Sequence, residues 1–71
     1  MERGEIRYGV FEDIRDNLSA FALKYFAAAY RIGDELDPNI RLLSSERSWI
    51  TAVKKANLLN LKVLEVNRIE I

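Results

Sequence analysis

Between Ala20 and Tyr30 the chain reads AFALKYFAAAY, a segment whose one charge is Lys24. Read as part of a helix, it is apolar almost all the way round. A helix on a monomer's surface shows a single apolar stripe, and one that is greasy on every side must be covered on every side. A chain of 71 residues has little else to cover it with. A chain of this size buries only ~60% of its unfolded surface, so its core needs reinforcement. With no cysteine and no histidine, disulfides, zinc–thiolate sites and the commonest metal ligand are all missing. A partner chain remains, and the simplest partner is a second copy.

The length fits one domain spanning residues 1–71. Hydrophobic residues make up 49% and charged residues 31%, a balance that belongs to a folded chain rather than a disordered tail. Met1-Glu2-Arg3-Gly4-Glu5 is not followed by an apolar run, so no secretory leader is expected. The apolar stretch from Leu18 to Ile32 is too short to span a bilayer and carries Lys24 and Arg31. A cytoplasmic protein is the expectation. The zero net charge conceals an asymmetry: residues 1–37 sum to −3 and residues 38–71 to +3. Such a dipole can steer partners or favour antiparallel pairing.

Glu5-Ile6-Arg7-Tyr8-Gly9-Val10 alternates polar and apolar, the pattern of a half-buried strand, with Gly9 in a polar slot. From Phe11 the period changes. Phe11, Ile14, Leu18, Phe21, Tyr25, Ala28 and Ile32 fall alternately three and four apart, which predicts a helix of about 22 residues, roughly 33 Å long. Glu12, Asp13 and Asp16 suit its positive end, and Gly33 suits a left-handed cap. Asp37-Pro38 can start a short helical turn over 39–43, and Ser44-Ser45-Glu46 can cap a second helix from Ser45 to Leu58. That helix carries an apolar stripe of Trp49, Ala52, Val53, Ala56 and Leu59. The tail is ambiguous. Leu59, Val63, Val66 and Ile69 could extend the helix, while the β-branched residues at 63, 66, 69 and 71 favour a strand over 60–71.

The expected architecture is therefore α+β and helix-dominated: strand, helix, helix, strand, with an antiparallel helix pair and a small antiparallel sheet completed in a homodimer. The alternative is an all-α helical dimer whose C-terminal segment is also helical. The self-association surface is predicted at Phe21, Ala22, Tyr25, Phe26, Ala29 and Tyr30.

The inventory for chemistry is short. The serines have no histidine to activate them, and there is no glycine-rich phosphate loop. Asp34, Glu35 and Asp37 lack the spacing of a calcium loop. The expectation is a non-enzyme with no cofactor, no metal and no small-molecule substrate. Arg47, Lys54 and Lys55 on the second helix, with Arg41 and Lys62 near its ends, are the residue types that contact phosphates. Two functions follow. The leading one is a small interaction or regulatory protein that homodimerises and binds another macromolecule as an adaptor or inhibitor. The alternative is a nucleic-acid-binding regulator using the basic face of the second helix. A membrane-surface role for the first helix lacks the basic flank it would need.

Overall fold

The computed structural model describes residues 4–15 and 23–69, with side chains as far as Glu65. Three strands, β1 (Ile6–Asp13), β2 (Tyr25–Arg31) and β3 (Ile40–Glu46), are followed by one helix, α1 (Trp49–Ile69). The strands form an antiparallel sheet in the order β2-β1-β3, and α1 lies over β1 and β2 more than over β3.

This corrects the helix-dominated expectation. There is no helix pair among the described residues, and the three strands exclude the all-α alternative as well. The helix predicted over 11–32 is divided between two strands. Phe11 belongs to β1, Tyr25 and Ala28 to β2, and Ile14 and Ile32 flank the strand ends; Leu18 and Phe21 lie outside the described residues. The short turn predicted over 39–43 is the first half of β3. The second helix starts at Trp49 instead of Ser45 and continues to Ile69, so most of the segment assigned to a final strand is helical.

Each difference has a local cause. In the register of β1 against β2, Tyr8 faces Ala29, Val10 faces Ala27 and Phe11 faces Phe26. Directly opposed residues share a face, so Tyr8, Val10, Ala27 and Ala29 lie under α1. Arg7, Gly9, Phe11, Phe26, Ala28 and Tyr30 lie on the opposite face. Both faces of β2 are apolar, and a continuous apolar run satisfies a helical spacing as readily as a strand one. Asp37 accepts the Asn39 N–H through Oδ1 (2.8 Å), and its carbonyl accepts the Ile40 N–H (3.0 Å). An N-cap makes the same kind of bond to the backbone just ahead of it, which is why the turn reads as a helix start. The true cap is Ser48, whose carbonyl accepts the Ala52 N–H at 3.1 Å. Gly33 is left-handed (φ 97°) as expected, but it turns the chain after a strand, where the Asp34 N–H reaches the Arg31 carbonyl at 3.1 Å.

The core under α1 is thin. Val10, Ala52 and Ala56 are buried together, with Tyr8, Ala27 and Leu59 packed around them. Alanine on both layers brings helix and sheet close together, and the Trp49 ring meets Tyr8 edge-on at 5.2 Å. Across the sheet, β3 carries one extra residue, Leu43, where the register shifts between Val10 and Phe11. This bulge lets Leu42 share a face with Phe11, and Ser44 and Glu46 the face with α1.

Candidate functional site

β2 is an edge strand, and its sequence departs from the usual protections. It has no proline, no bulge and no charge between Tyr25 and Tyr30. Natural edges commonly carry one of these to prevent pairing with other chains. The other edge, β3, has the bulge at Leu43, an exposed Arg41 and the terminal Glu46.

The ladder fixes which backbone groups of β2 point outward. The Asp13 N–H reaches the Lys24 carbonyl at 2.8 Å, and the Ile32 N–H reaches the Glu5 carbonyl at 2.9 Å. Even-numbered residues of β2 therefore bond inward to β1, and Tyr25, Ala27, Ala29 and Arg31 point away. Tyr25 is already engaged. Its N–H donates to Asn60 Oδ1 at 3.0 Å, and its carbonyl accepts from Asn60 Nδ2 at 2.8 Å. The Arg31 carbonyl holds the Asp34 N–H. Among the described residues, Ala27 and Ala29 have both outward groups left over, and Arg31 has its N–H.

The same asparagine orients α1. Asn60 lies toward the outer edge of β2, whereas Lys55 reaches Glu46 on β3. At 100° per residue, Val53, Asn57, Asn60 and Leu64 form the flank above the β2 edge, and Thr51, Lys55, Leu58 and Lys62 form the flank toward β3. The flank above the open edge carries no charge.

The face away from α1 is built around Gly9. Phe11 stacks on Phe26 (centroids 5.4 Å apart) and meets Tyr30 edge-on at 5.6 Å. The Tyr30 hydroxyl crosses β1 to Ser45 Oγ at 2.6 Å. That crossing passes over Gly9, where a Cβ would sit 2.8 Å from Leu42 Cδ1 and 3.0 Å from Tyr30 Cε1.

Charged groups are arranged in local pairs. Glu12, buried beneath its neighbours, accepts from Arg41 at 2.5 Å and lies 3.7 Å from Lys24. Asp13 binds Arg15 through several bonds, the shortest 2.5 Å, and this guanidinium holds its carboxyl below the ordinary value. Glu46 accepts from Lys55 and from Ser44, and the lysine ammonium holds its carboxyl low.

The five predicted phosphate-contacting residues do not gather into one face. Arg41 is bound to Glu12 and Lys55 to Glu46. Arg47 precedes the helix, Lys54 lies on its crest, and Lys62 is two turns beyond Lys55. Asp34, Glu35 and Asp37 are exposed, and among the described residues no three acids converge as metal ligands. No described helix is long and apolar enough to cross a membrane.

Of the six residues predicted for self-association, Tyr25, Phe26, Ala29 and Tyr30 are in β2, in a strand and not on a helix face. Phe21 and Ala22 lie outside the described residues. Sequence reasoning gave Asn60 no site role and took Val53 only as part of a helix stripe and Ser45 only as a cap. Gly9 carried a usable signal, because a glycine inside a strand pattern often marks a close approach. No protein family model, curated protein or solved structure matches the chain.

Proposed function

We propose that this chain is a small non-enzymatic interaction protein of the cytoplasm, an adaptor or inhibitor, which homodimerises and acts by occupying a surface on another protein. The observation that carries this reading is the apolar end of the molecule. α1 passes Tyr25 at Asn60 and then runs on for about 14 Å beyond that hydrogen-bonded residue. Leu61 and Leu64 are each more than half exposed there. Ile14 and Leu23, at the same end of the sheet, are 45% and 66% exposed. Side chains three apart on a helix are the anchors of groove-binding helices, and each large one contributes ~1.5–3 kcal/mol when buried. Large exposed apolar side chains gathered at one end of a small chain mark a contact surface.

The test is capture from the native host followed by titration of the purified captured protein. Leu61→Glu with Leu64→Glu is expected to abolish that binding and leave the circular dichroism spectrum intact. Equal binding by the double variant would refute the reading. The nucleic-acid reading draws less support, since Arg41 and Lys55 are neutralised by carboxylates within the fold. It predicts that Lys54→Ala with Lys55→Ala weakens duplex binding and flattens its salt dependence. Unaltered migration of DNA and RNA at low salt would dispose of it.

A further inference from the structure

We infer that two copies join through the open edge of β2, in antiparallel register about Ala28, to make one six-stranded sheet with the two α1 helices side by side. This rests on the homodimer part of the proposed function and names the surface and register.

The register follows from which groups are unused. Tyr25 is held by Asn60 and the Arg31 carbonyl by Asp34, so Ala27 and Ala29 are left with outward N–H and C=O groups. A two-fold axis that uses both must pass through Ala28. Ala27 of one copy then exchanges two hydrogen bonds with Ala29 of the other, and the symmetry repeats the exchange. The interface is isologous, as a closed dimer requires.

The side chains agree with this register on both faces. Away from the helices, Phe26 of one copy stands directly opposite Tyr30 of the other, twice, on either side of an Ala28–Ala28 pair. Aromatic cross-strand pairs are among the favourable ones. Both rings are half-exposed in the single chain, with one side already packed on Phe11. Under the helices, Ala27 and Ala29 are too small to hold the layers apart.

The helix spacing agrees as well. Strands are about 4.8 Å apart, and α1 lies over β1 and β2. A helix midway between these strands is about 5 Å from the axis, so the two helices come to lie about 10 Å apart, at the upper end of ordinary helix packing. The flanks that meet are the uncharged ones, with Val53 nearest the axis and Asn57 of one copy toward Ile50 of the other. Lys55 and Lys62 stay on the far sides. An edge strand without protection, beneath a helix flank without charge, is the arrangement expected of a surface that is covered by its own copy.

The experiment combines sedimentation with cross-linking, and the absence of cysteine from the chain makes the second part clean. The wild-type chain is expected to sediment as a dimer in the micromolar range. Ala29→Pro removes an outward N–H that no bond among the described residues uses, and edge positions tolerate proline. It is expected to weaken the dimer by ~30-fold, because two symmetry-related hydrogen bonds are lost. Ala28→Cys places two thiols across a non-hydrogen-bonded pair, where Cα atoms are ~4.5 Å apart and a disulfide fits. Mild oxidation should link this variant almost completely with an unchanged circular dichroism spectrum, whereas Leu36→Cys, on the loop between β2 and β3, should link poorly. A wild-type dimer whose Ala28→Cys form links no faster than Leu36→Cys would overturn the register and leave the homodimer reading standing. A wild-type monomer throughout the range, with Ala28→Cys unlinked, would overturn both. Should Ala29→Pro fail to fold, the cross-linking pair alone decides.

Discussion

Gly9→Ala is expected to destabilise the protein although the backbone there suits any residue. Of the described glycines only Gly4 and Gly33 have positive φ, so the objection at position 9 is space alone. A new Cβ would lie 2.8 Å from Leu42 Cδ1, 3.0 Å from Tyr30 Cε1 and 3.2 Å from Phe11 Cε2. Carbon atoms in comfortable contact are ~3.5–4.0 Å apart, so all three neighbours must retreat. Leu42 can turn away. The two rings cannot move independently, because Phe11 is stacked on Phe26 and Tyr30 is tied to Ser45 at 2.6 Å. Overpacking of this kind costs ~1–3 kcal/mol, and removing a strand glycine returns ~0.5–1 kcal/mol of chain entropy. The net loss should be about 1–2 kcal/mol. In a domain of this size each kcal/mol lowers the melting temperature by ~4–8 °C. Equilibrium urea unfolding, followed by the fluorescence of Trp49 at fixed protein concentration, measures it; the concentration must be fixed because the proposed association would contribute to apparent stability. Leu42→Ala should cost less in the Gly9→Ala background than alone, with a coupling of ~0.5 kcal/mol or more, since it vacates the volume the methyl needs. A Gly9→Ala midpoint at or above wild type, or strict additivity with Leu42→Ala, would show the described packing to be wrong.

Three further outcomes follow from the same geometry. Asn60→Ala removes both bonds to the Tyr25 backbone, and at an edge where water partly replaces them the loss should be ~1–2 kcal/mol, read by urea unfolding and by faster amide exchange at Tyr25. Asp13 and Glu46 both have carboxyls held low in the folded state, by Arg15 and Lys55 respectively. Their stabilisation is therefore complete above the ordinary carboxylate range and declines as pH falls through the lowered values; Lys55→Met should flatten that acid limb in a series of unfolding midpoints, and an identical limb would refute the assignment. Arg7 is largely covered; among the described residues its Nε is buried without a partner and its ion pair is a 3.6 Å contact to Glu5. Arg7→Met should leave stability unchanged or raise it, because an apolar side chain of similar length carries no unsatisfied donor; a loss above ~1 kcal/mol would contradict this.

What was legible in the sequence is explained by which signals are local. The alternation from Glu5 to Val10 is real strand pattern, and β1 continues it to Asp13. The stripe of Trp49, Ala52, Val53 and Ala56 did belong to a helix, because one polar flank stays in water and keeps the period visible. β2 was misread because it is an edge strand with apolar residues on both faces, so that period 2 leaves no trace. The alanines add helix propensity that the tertiary context overrides, while Tyr25, Phe26 and Tyr30 carry the β preference. β3 was hidden by its bulge: Leu43 interrupts the alternation of Ile40 and Leu42, and two serines follow where a cap is also plausible. The C-terminal segment was misassigned on short stretches of alternation tipped by β-branched content, which is weaker evidence than continuity with a helix already under way. The candidate surface was legible in part, since the residues of β2 attracted notice for their lack of charge. Its geometry was not, because an open edge is defined by where the ladder ends and not by the residues that form it.

The alanine run also bears on why a chain this small would gain from the proposed second copy. Larger residues at Ala27, Ala52 and Ala56 would bury more apolar area, but they would lift α1 off the sheet and break the Asn60 clasp on Tyr25. Close approach therefore leaves a core whose fully buried side chains are few and mostly small: among the described residues Val10 is the large apolar side chain buried there, beside two alanines, while Phe11 is buried on the other face of the sheet. Leucine and isoleucine are instead spread over the surface, at positions such as Ile6, Ile50 and Leu61. Sheets of three strands become independently stable when a face is well packed, and here one face holds alanines and the other rests on a single aromatic cluster around Gly9. Joining at Ala28 would double the sheet, place Phe26 against Tyr30 from both sides and bring the Val53 flanks together, all without moving the helix away from the strands. The small residues that thin the core of one chain are the ones that would let two chains close over the same edge in the proposed dimer.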